Sequence, residues 1–242
     1  MIIIKAEKYL EIRVKSSQLT KEVQTMKTDA QIQLDVIAEL KYEPTIHQSN
    51  IGVSVKEGIV ALRGEVEHYF EKYHAEAAAQ RVSGVRGVAM ELEVKLPNSV
   101  KRSDSDIAHA IDNLISWSAL LSKDSVQVKV EGGWVTLSGE VKWHYQKAML
   151  NTSISHLMGV VGISNQLVIK HEVAKAEVKS DIVEALNRRA KDDAKSIDIQ
   201  VKGGEVTLSG SVHSWNEKAL VKQAAWSNSS VVSVVDKLQV IN

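Results

Sequence analysis

Three side chains that could coordinate a metal ion lie close together in the sequence: Asp106, His109 and Asp112. Residues three apart are neighbours on a helix surface, and carboxylate and imidazole groups are common ligands of divalent metals. The matching helices elsewhere in the chain carry no equivalent set. We therefore interpret the three side chains as a solvated helix face, and we expect neither a metal site nor a bound cofactor.

Catalytic patterns do not stand out. The sequence contains no G-x-S-x-G, H-E-x-x-H or G-x-x-x-x-G-K-[ST] segment, the patterns of serine hydrolases, zinc proteases and phosphate-binding loops. It has no cysteine, which excludes thiolate catalysis, disulfides and cysteine-ligated zinc. These observations predict a protein that is not an enzyme.

The overall charge gives no reason to expect a nucleic-acid partner. Lys plus Arg and Asp plus Glu both number 30, so the formal net charge is zero. Two G-x-x-G segments, 84–87 and 159–162, resemble the loop with which KH domains hold a nucleic-acid backbone. That loop joins two helices, whereas these segments follow a predicted helix and precede a predicted strand. We therefore interpret them as helix C-caps.

A repeated segment organises the chain. The pattern G-x-V-x-L-x-G-x-V occurs at 58–66, 133–141 and 204–212, so the copies lie 75 and 71 residues apart. Its alternation of apolar and polar residues is typical of a half-buried strand. The leading glycine predicts the turn of a hairpin, and the inner glycine predicts a flat spot where a helix packs, or alternatively a bulge. The glycines concerned are Gly58, Gly133 and Gly204 at the turn, and Gly64, Gly139 and Gly210 inside the strand.

Around each motif the sequence predicts helix, strand, strand, helix, strand. This indicates an α+β protein of three tandem small α-β-β-α-β domains, each a three-stranded mixed sheet with two helices on one face. The expected domains are 27–97, 98–171 and 172–242, after an N-terminal leader over 1–26 in which Ile2–Ile4 has the composition of a short strand. Unequal intervals from Asp35, Asp106 and Asp181 to the turn glycine predict four additional residues near 116–123 of the second repeat.

The ends and hydropathy of the chain bear on its location. No apolar run reaches the ~18 residues of a membrane-spanning helix, and Ile2–Ile4 is too short for a signal-peptide core. The chain as written is therefore expected to be cytoplasmic. Met26 directly precedes the first repeat, so it is an alternative natural start to Met1.

The three hairpins at 53–66, 128–141 and 199–212, with the helix and closing strand that follow each, resemble the BON family of bacterial osmotically induced and nodulation proteins. The resemblance covers residues 27 to 242 and is closest to three-copy, transport-associated members. It implies binding modules without enzymatic activity that contact phospholipid in the cell envelope during osmotic stress. It also implies a periplasmic location as the alternative to a cytoplasmic one.

Aromatic and basic residues recur at the start of each second helix. Rings at headgroup level and lysines at phosphate suit a membrane interface, so we predict a membrane or partner contact there; the alternative is an aromatic staple that packs the helix start. Trp134 and Trp117 are candidates for an interdomain contact or for local core. The predicted contact residues are Tyr69, Phe70, Lys72, Trp143, Tyr145, Lys147, Trp215 and Lys218.

Two other functions compete with lipid binding. A potassium sensor would hold K+ with backbone carbonyl oxygens, because hard cations prefer oxygen ligands. A scaffold would bind proteins along exposed sheet edges. The sequence does not choose among the three, and it leaves the oligomeric state open.

Overall fold

The computed structural model describes residues 27–46, 50–99, 101–122, 124–170, 178–189 and 197–241. Within these residues each repeat follows the order helix, strand, strand, helix, strand, so the predicted α+β class and element order are confirmed. The predicted leader, including Ile2–Ile4, lies outside the described residues.

The elements have the following bounds. The first repeat contains α1 (Asp29–Tyr42), β1 (Ile51–Lys56), β2 (Ile59–Val66), α2 (Tyr69–Arg81) and β3 (Gly87–Val94). The second contains α3 (Asp104–Ser116), β4 (Val126–Glu131), β5 (Trp134–Val141), α4 (His144–Ser155), β6 (Gly162–Asn165) and β7 (Val168–Ile169). The third contains α5 (Val178–Arg189), β8 (Ile197–Lys202), β9 (Glu205–Val212), α6 (Trp215–Trp226) and β10 (Ser233–Val240).

The repeated motif forms the central strand of each sheet. It pairs antiparallel with the preceding hairpin strand and parallel with the closing strand, which gives the predicted mixed sheet. In the second repeat the closing strand, predicted as one piece over 163–169, is instead split into β6 and β7. There Asn165 accepts a hydrogen bond from the Leu167 N–H and donates to the Lys147 carbonyl, a local alternative to ladder pairing.

The hairpin turns adopt the type I′ geometry that matches strand twist. Glu57 and Gly58 have φ of 52° and 74°, and the equivalent residues of the other repeats are pairs of glycines, also at positive φ. The Asp29 carboxylate, at the start of α1, accepts hydrogen bonds from the N–H groups of Glu57 and Gly58 at 2.7 and 2.9 Å. Asp104 holds the second repeat's turn in the same way. Each of these helices therefore fixes the hairpin beneath it.

The inner glycine accommodates a neighbouring backbone and not a helix. Gly64 and Gly139 have φ of 132° and 119°. A Cβ atom on Gly64 would lie far inside van der Waals contact with the Asn50 carbonyl oxygen, and one on Gly139 would meet the Ser125 carbonyl oxygen. The predicted flat spot for helix packing is therefore wrong, because the chain entering the first hairpin strand occupies that space.

One face of each sheet and both helices enclose a separate core in every repeat. A fully buried leucine such as Leu62 or Leu137 contributes about 1.5–3 kcal/mol. The buried positions of the first helices keep the same offsets of 75 and 71 residues as the hairpin glycines, so the predicted four-residue insertion is wrong. Those positions are Ile32, Val36 and Leu40, then Ile107, Ile111 and Ile115, then Val178, Ile182 and Leu186.

Candidate functional site

The start of each second helix is held by a buried polar side chain. Glu71 Oε1 accepts hydrogen bonds from the N–H groups of Glu67 and His68 at 3.1 and 2.9 Å. Gln146 does the same for the turn before α4, and Glu217 Oε2 accepts from the His213 N–H. This bracing orients the first residue of each helix, and that residue contacts a different repeat in all three cases.

The first and second repeats meet through stacked rings. Phe70 lies between two histidines: His68 of its own repeat, with ring centroids 5.3 Å apart, and His156 of the second repeat, 5.2 Å away with the ring planes nearly parallel. His74 approaches both Phe70 and His156 edge-on. Tyr69, the first residue of α2, packs against the apolar core of the second repeat. The two aromatic residues therefore form an inter-repeat contact.

The second and third repeats meet at His144, the first residue of α4. Its ring stacks on Trp226, the last residue of α6, at 3.9 Å between centroids and 11° between planes. Burial lowers the pKa of His144 below its usual value, and the positive charges of Lys147 and Lys222 lower it further. The contact therefore favours the neutral form of the imidazole.

The third and first repeats meet at Trp215, the first residue of α6. Its indole Nε1–H donates a hydrogen bond of 2.9 Å to the carbonyl oxygen of Val85, just beyond the end of α2. Val85 is only 2% exposed, so the bond satisfies the carbonyl of a buried residue.

These three contacts close a ring. In each, the start of one repeat's second helix reaches the region near the end of the next repeat's second helix: first to second, second to third, and third back to first. Head-to-tail contacts that close in this way generate cyclic symmetry. The three repeats are therefore arranged about a pseudo-threefold axis.

The three predicted contact lysines differ in their surroundings. Lys147 Nζ donates to the Leu167 carbonyl, and Lys218 Nζ donates to the equivalent Leu238 carbonyl, each at 2.8 Å. Lys218 also forms an ion pair with Asp236 at 3.3 Å and lies 5.3 Å from the Trp215 ring centroid. Lys72, like Lys147, lines a cleft between the first two repeats, but it makes no such bond to the described residues.

The remaining predicted contact residues and the two single tryptophans are placed as follows. Tyr145 is 52% exposed, while Trp143 is half-buried. Trp134 is half-exposed, lies over Gly162 of its own repeat and lines the same cleft as Lys72. Trp117 is 90% exposed, so neither sequence interpretation of it, interdomain contact or local core, is correct.

Sequence reasoning missed the exposed aromatic residues at the ends of the first helices. Tyr42, the last residue of α1, is 87% exposed and occupies the same repeat position as Trp117. Only a comparison of the repeats at the correct offset could have found this pair, and the erroneous insertion concealed it. Leu120, three residues after Trp117, is also exposed.

The three candidate metal ligands lie at the surface of α3. Asp106 accepts hydrogen bonds from the Ser103 N–H and hydroxyl at the start of α3, and these bonds, the backbone one included, lower its pKa. His109 and Asp112 are exposed. Over the described ranges, no group of three or more His, Cys, Asp or Glu side chains could hold a metal ion.

A known protein family matches each of the three repeats. The profile of the BON domain matches three times, at residues 28–95, 103–171 and 174–242. The chain belongs to the BON family. BON domains are generally binding modules without catalytic activity. A comparison with curated proteins finds no match.

Two solved structures match this BON chain at low identity. Both are of CdsD, a structural protein of the type III secretion system of Chlamydia trachomatis, and one is of its C-terminal domain. Each is 15% identical and covers 86% of this chain, and the alignments span 90% and 96% of the two CdsD chains. The TM-score of both is 0.25, at which the likeness carries no structural or functional argument.

Proposed function

We propose that this BON protein is a non-enzymatic binding protein that associates with the phospholipid surface of the cell envelope. The observation that carries the proposal is the pair of aromatic residues Tyr42 and Trp117, 87% and 90% exposed at one repeat position. Tyrosine and tryptophan are enriched at membrane interfaces, where the ring meets acyl chains and the polar atom meets headgroups. No helix in the described part of the chain is long and apolar enough to span a bilayer.

The ring of repeats supports a common surface for these residues. Equivalent positions in a cyclic arrangement lie at the same height along its axis, so Tyr42 and Trp117 share one level of the ring. The third repeat has Arg188 at this position, with an exposed side chain that forms an ion pair with Glu184 at 3.6 Å. An arginine there suits anionic headgroups.

The aromatic residues at the start of the second helices support the proposal less. Tyr69, Phe70 and Trp215 contact a neighbouring repeat, whereas Tyr145 is exposed. We therefore centre the proposed membrane surface on Trp117. A role in osmotic stress and a place in the envelope rest on the family resemblance, and potassium sensing and protein scaffolding stay predictions.

Sedimentation with vesicles tests the proposal. The purified chain is expected to pellet with phosphatidylglycerol vesicles more than with phosphatidylcholine vesicles, with a blue shift of tryptophan emission. Trp117→Ala should weaken binding about tenfold, because burying roughly half of a large side chain contributes about 1.4 kcal/mol of binding free energy. Trp143→Ala is the matched control, because this half-buried tryptophan belongs to the competing surface at α4.

Two results would overturn this assignment. If no vesicle pellets the protein, membrane association of the isolated chain is wrong. If Trp143→Ala weakens binding and Trp117→Ala does not, the membrane surface is at the second helices.

A further inference from the structure

The three equivalent lysines of the second helices reveal a difference between the repeats. Lys147 and Lys218 each donate to a leucine carbonyl of the closing strand of their own repeat. Beside that carbonyl, the second and third repeats carry the polar residues Asn165 and Asp236. In both repeats the lysine is therefore part of the fold.

Lys72 lacks these partners. The first repeat has Met90 at the position of Asn165 and Asp236, so no acceptor side chain stands there. Within the described ranges, Lys72 makes no hydrogen bond or ion pair, although its side chain is half-buried. A cation that is partly withdrawn from water and unpaired is suited to a ligand of opposite charge.

The cleft that Lys72 lines lies between the first and second repeats. Its volume is about 530 Å³, within the range of small-molecule sites. Met90, Val161 and the half-exposed ring of Trp134 form an apolar part of the wall. A side chain at residue 162 would collide with the Trp134 ring, so the absence of a side chain at Gly162 leaves room for this ring.

The rest of the lining is polar with an excess of positive charge. Lys72 and Lys147 face a single carboxylate, Glu76. The rings of His74, His144 and His156 add groups that can donate hydrogen bonds. An anion is therefore favoured over a cation in this cleft.

We infer that the cleft between the first two repeats binds a small phosphate ester with an apolar body. The Lys72 ammonium holds the phosphate, which suits its compact charge. Trp134 and Met90 receive the apolar part. The inference goes beyond membrane association, because the ligand is a single molecule held between repeats and Trp117 takes no part.

The test uses dihexanoyl phosphatidic acid below its micelle concentration, with the full chain. Binding is followed by calorimetry and by the five tryptophan indole N–H resonances in proton–nitrogen NMR spectra. The Trp134 resonance, assigned with Trp134→Phe, should shift on titration, and that of Trp117 should not. Inorganic phosphate and uncharged dihexanoylglycerol should each bind at least about tenfold more weakly, because each lacks one half of the recognised chemistry.

Variants separate this site from the membrane surface. Lys72→Met should lower affinity about 10- to 100-fold, the value of a hydrogen bond to a charged group. Lys56→Met, at an exposed lysine on β1, is the matched control and should bind as the native chain does. Lys72→Gln gives a second test if the methionine variant misfolds, as judged by circular dichroism. Trp117→Ala should weaken vesicle binding about tenfold and leave the affinity for monomeric phosphatidic acid unchanged.

Unchanged affinity in Lys72→Met would overturn the site. So would titration with monomeric phosphatidic acid that leaves the Trp134 resonance in place. If phosphatidic acid acts only within vesicles, the affinity belongs to the membrane surface, and the cleft site is wrong although the proposed function stands.

Discussion

The ring of repeats is tested most directly at Trp215, where one hydrogen bond joins the third repeat to the first. Trp215→Phe keeps an aromatic ring at the start of α6 but removes the indole N–H. The Val85 carbonyl, in a residue only 2% exposed, then loses its donor. An unsatisfied buried polar group costs about 1–3 kcal/mol, so we expect the free energy of unfolding to fall by that amount.

The assay is equilibrium urea denaturation followed by far-ultraviolet circular dichroism, which does not depend on the tryptophan removed. A cost of about 1.4 kcal/mol corresponds to a tenfold change in the folding equilibrium, well above the scatter of matched curves. Trp143→Phe is the control. It makes the same exchange at a half-buried tryptophan whose indole donates no hydrogen bond to the described residues.

One result of these two denaturation measurements would contradict the closed ring. If Trp215→Phe and Trp143→Phe unfold within about 0.3 kcal/mol of each other, the inter-repeat bond contributes nothing and the closed ring does not persist in solution. If only Trp215→Phe splits one unfolding transition into two, the bond couples the third repeat to the others. That result would support the ring through cooperativity.

Three further predictions follow from local geometry. Gly139→Ala should destabilise the chain by at least about 2 kcal/mol in urea denaturation, because its φ of 119° strains an alanine and the Ser125 carbonyl blocks the new methyl group; an unchanged midpoint would contradict this. Glu71→Ala should cost about 2–4 kcal/mol by orphaning two N–H groups, whereas Glu71→Gln, which mimics the second repeat, should cost under about 1 kcal/mol; equal losses would refute the bracing role. His144 has a lowered folded pKa, so its contribution is complete above the usual value of 6.5 and is lost as pH falls from there through the folded pKa. Urea midpoints should thus fall between about pH 7.5 and pH 5.5, and His144→Phe, which keeps a ring against Trp226, should reduce that fall; an undiminished fall would assign it to other groups.

The sequence predicted the elements of each repeat because their signals are local. Alternating Val60, Leu62 and Val66 determine a strand whatever surrounds it, and paired positive-φ residues determine the hairpin turn. The role of the inner glycine could not be predicted from such local signals. Its close neighbour is the Asn50 backbone, and a pattern of side chains carries no information about which backbone passes nearby.

The surfaces were predicted less well, because amino-acid type alone does not say what an aromatic ring contacts. Trp215 and Trp117 are the same residue, yet one donates to a neighbouring repeat and the other is 90% exposed. The prediction of a membrane contact at the start of the second helices depended on aromatic and basic composition. That composition is equally suited to the contacts between repeats that the structure contains.

The variation among the repeats explains why these contacts escaped detection. Position three of the second helix is Glu, Gln and Glu, and it braces the same turn of its own repeat each time. Position one is Tyr69, His144 and Trp215, and each meets a different neighbour: an apolar core, an indole ring and a carbonyl oxygen. In this ring, a position with similar residues in all three repeats acts within its own repeat, whereas a position with different residues contacts the next repeat. The exchange of Asn165 and Asp236 for Met90 beside Lys72 is a departure of the second kind, since it opens a lysine to the space between two repeats instead of closing it within one.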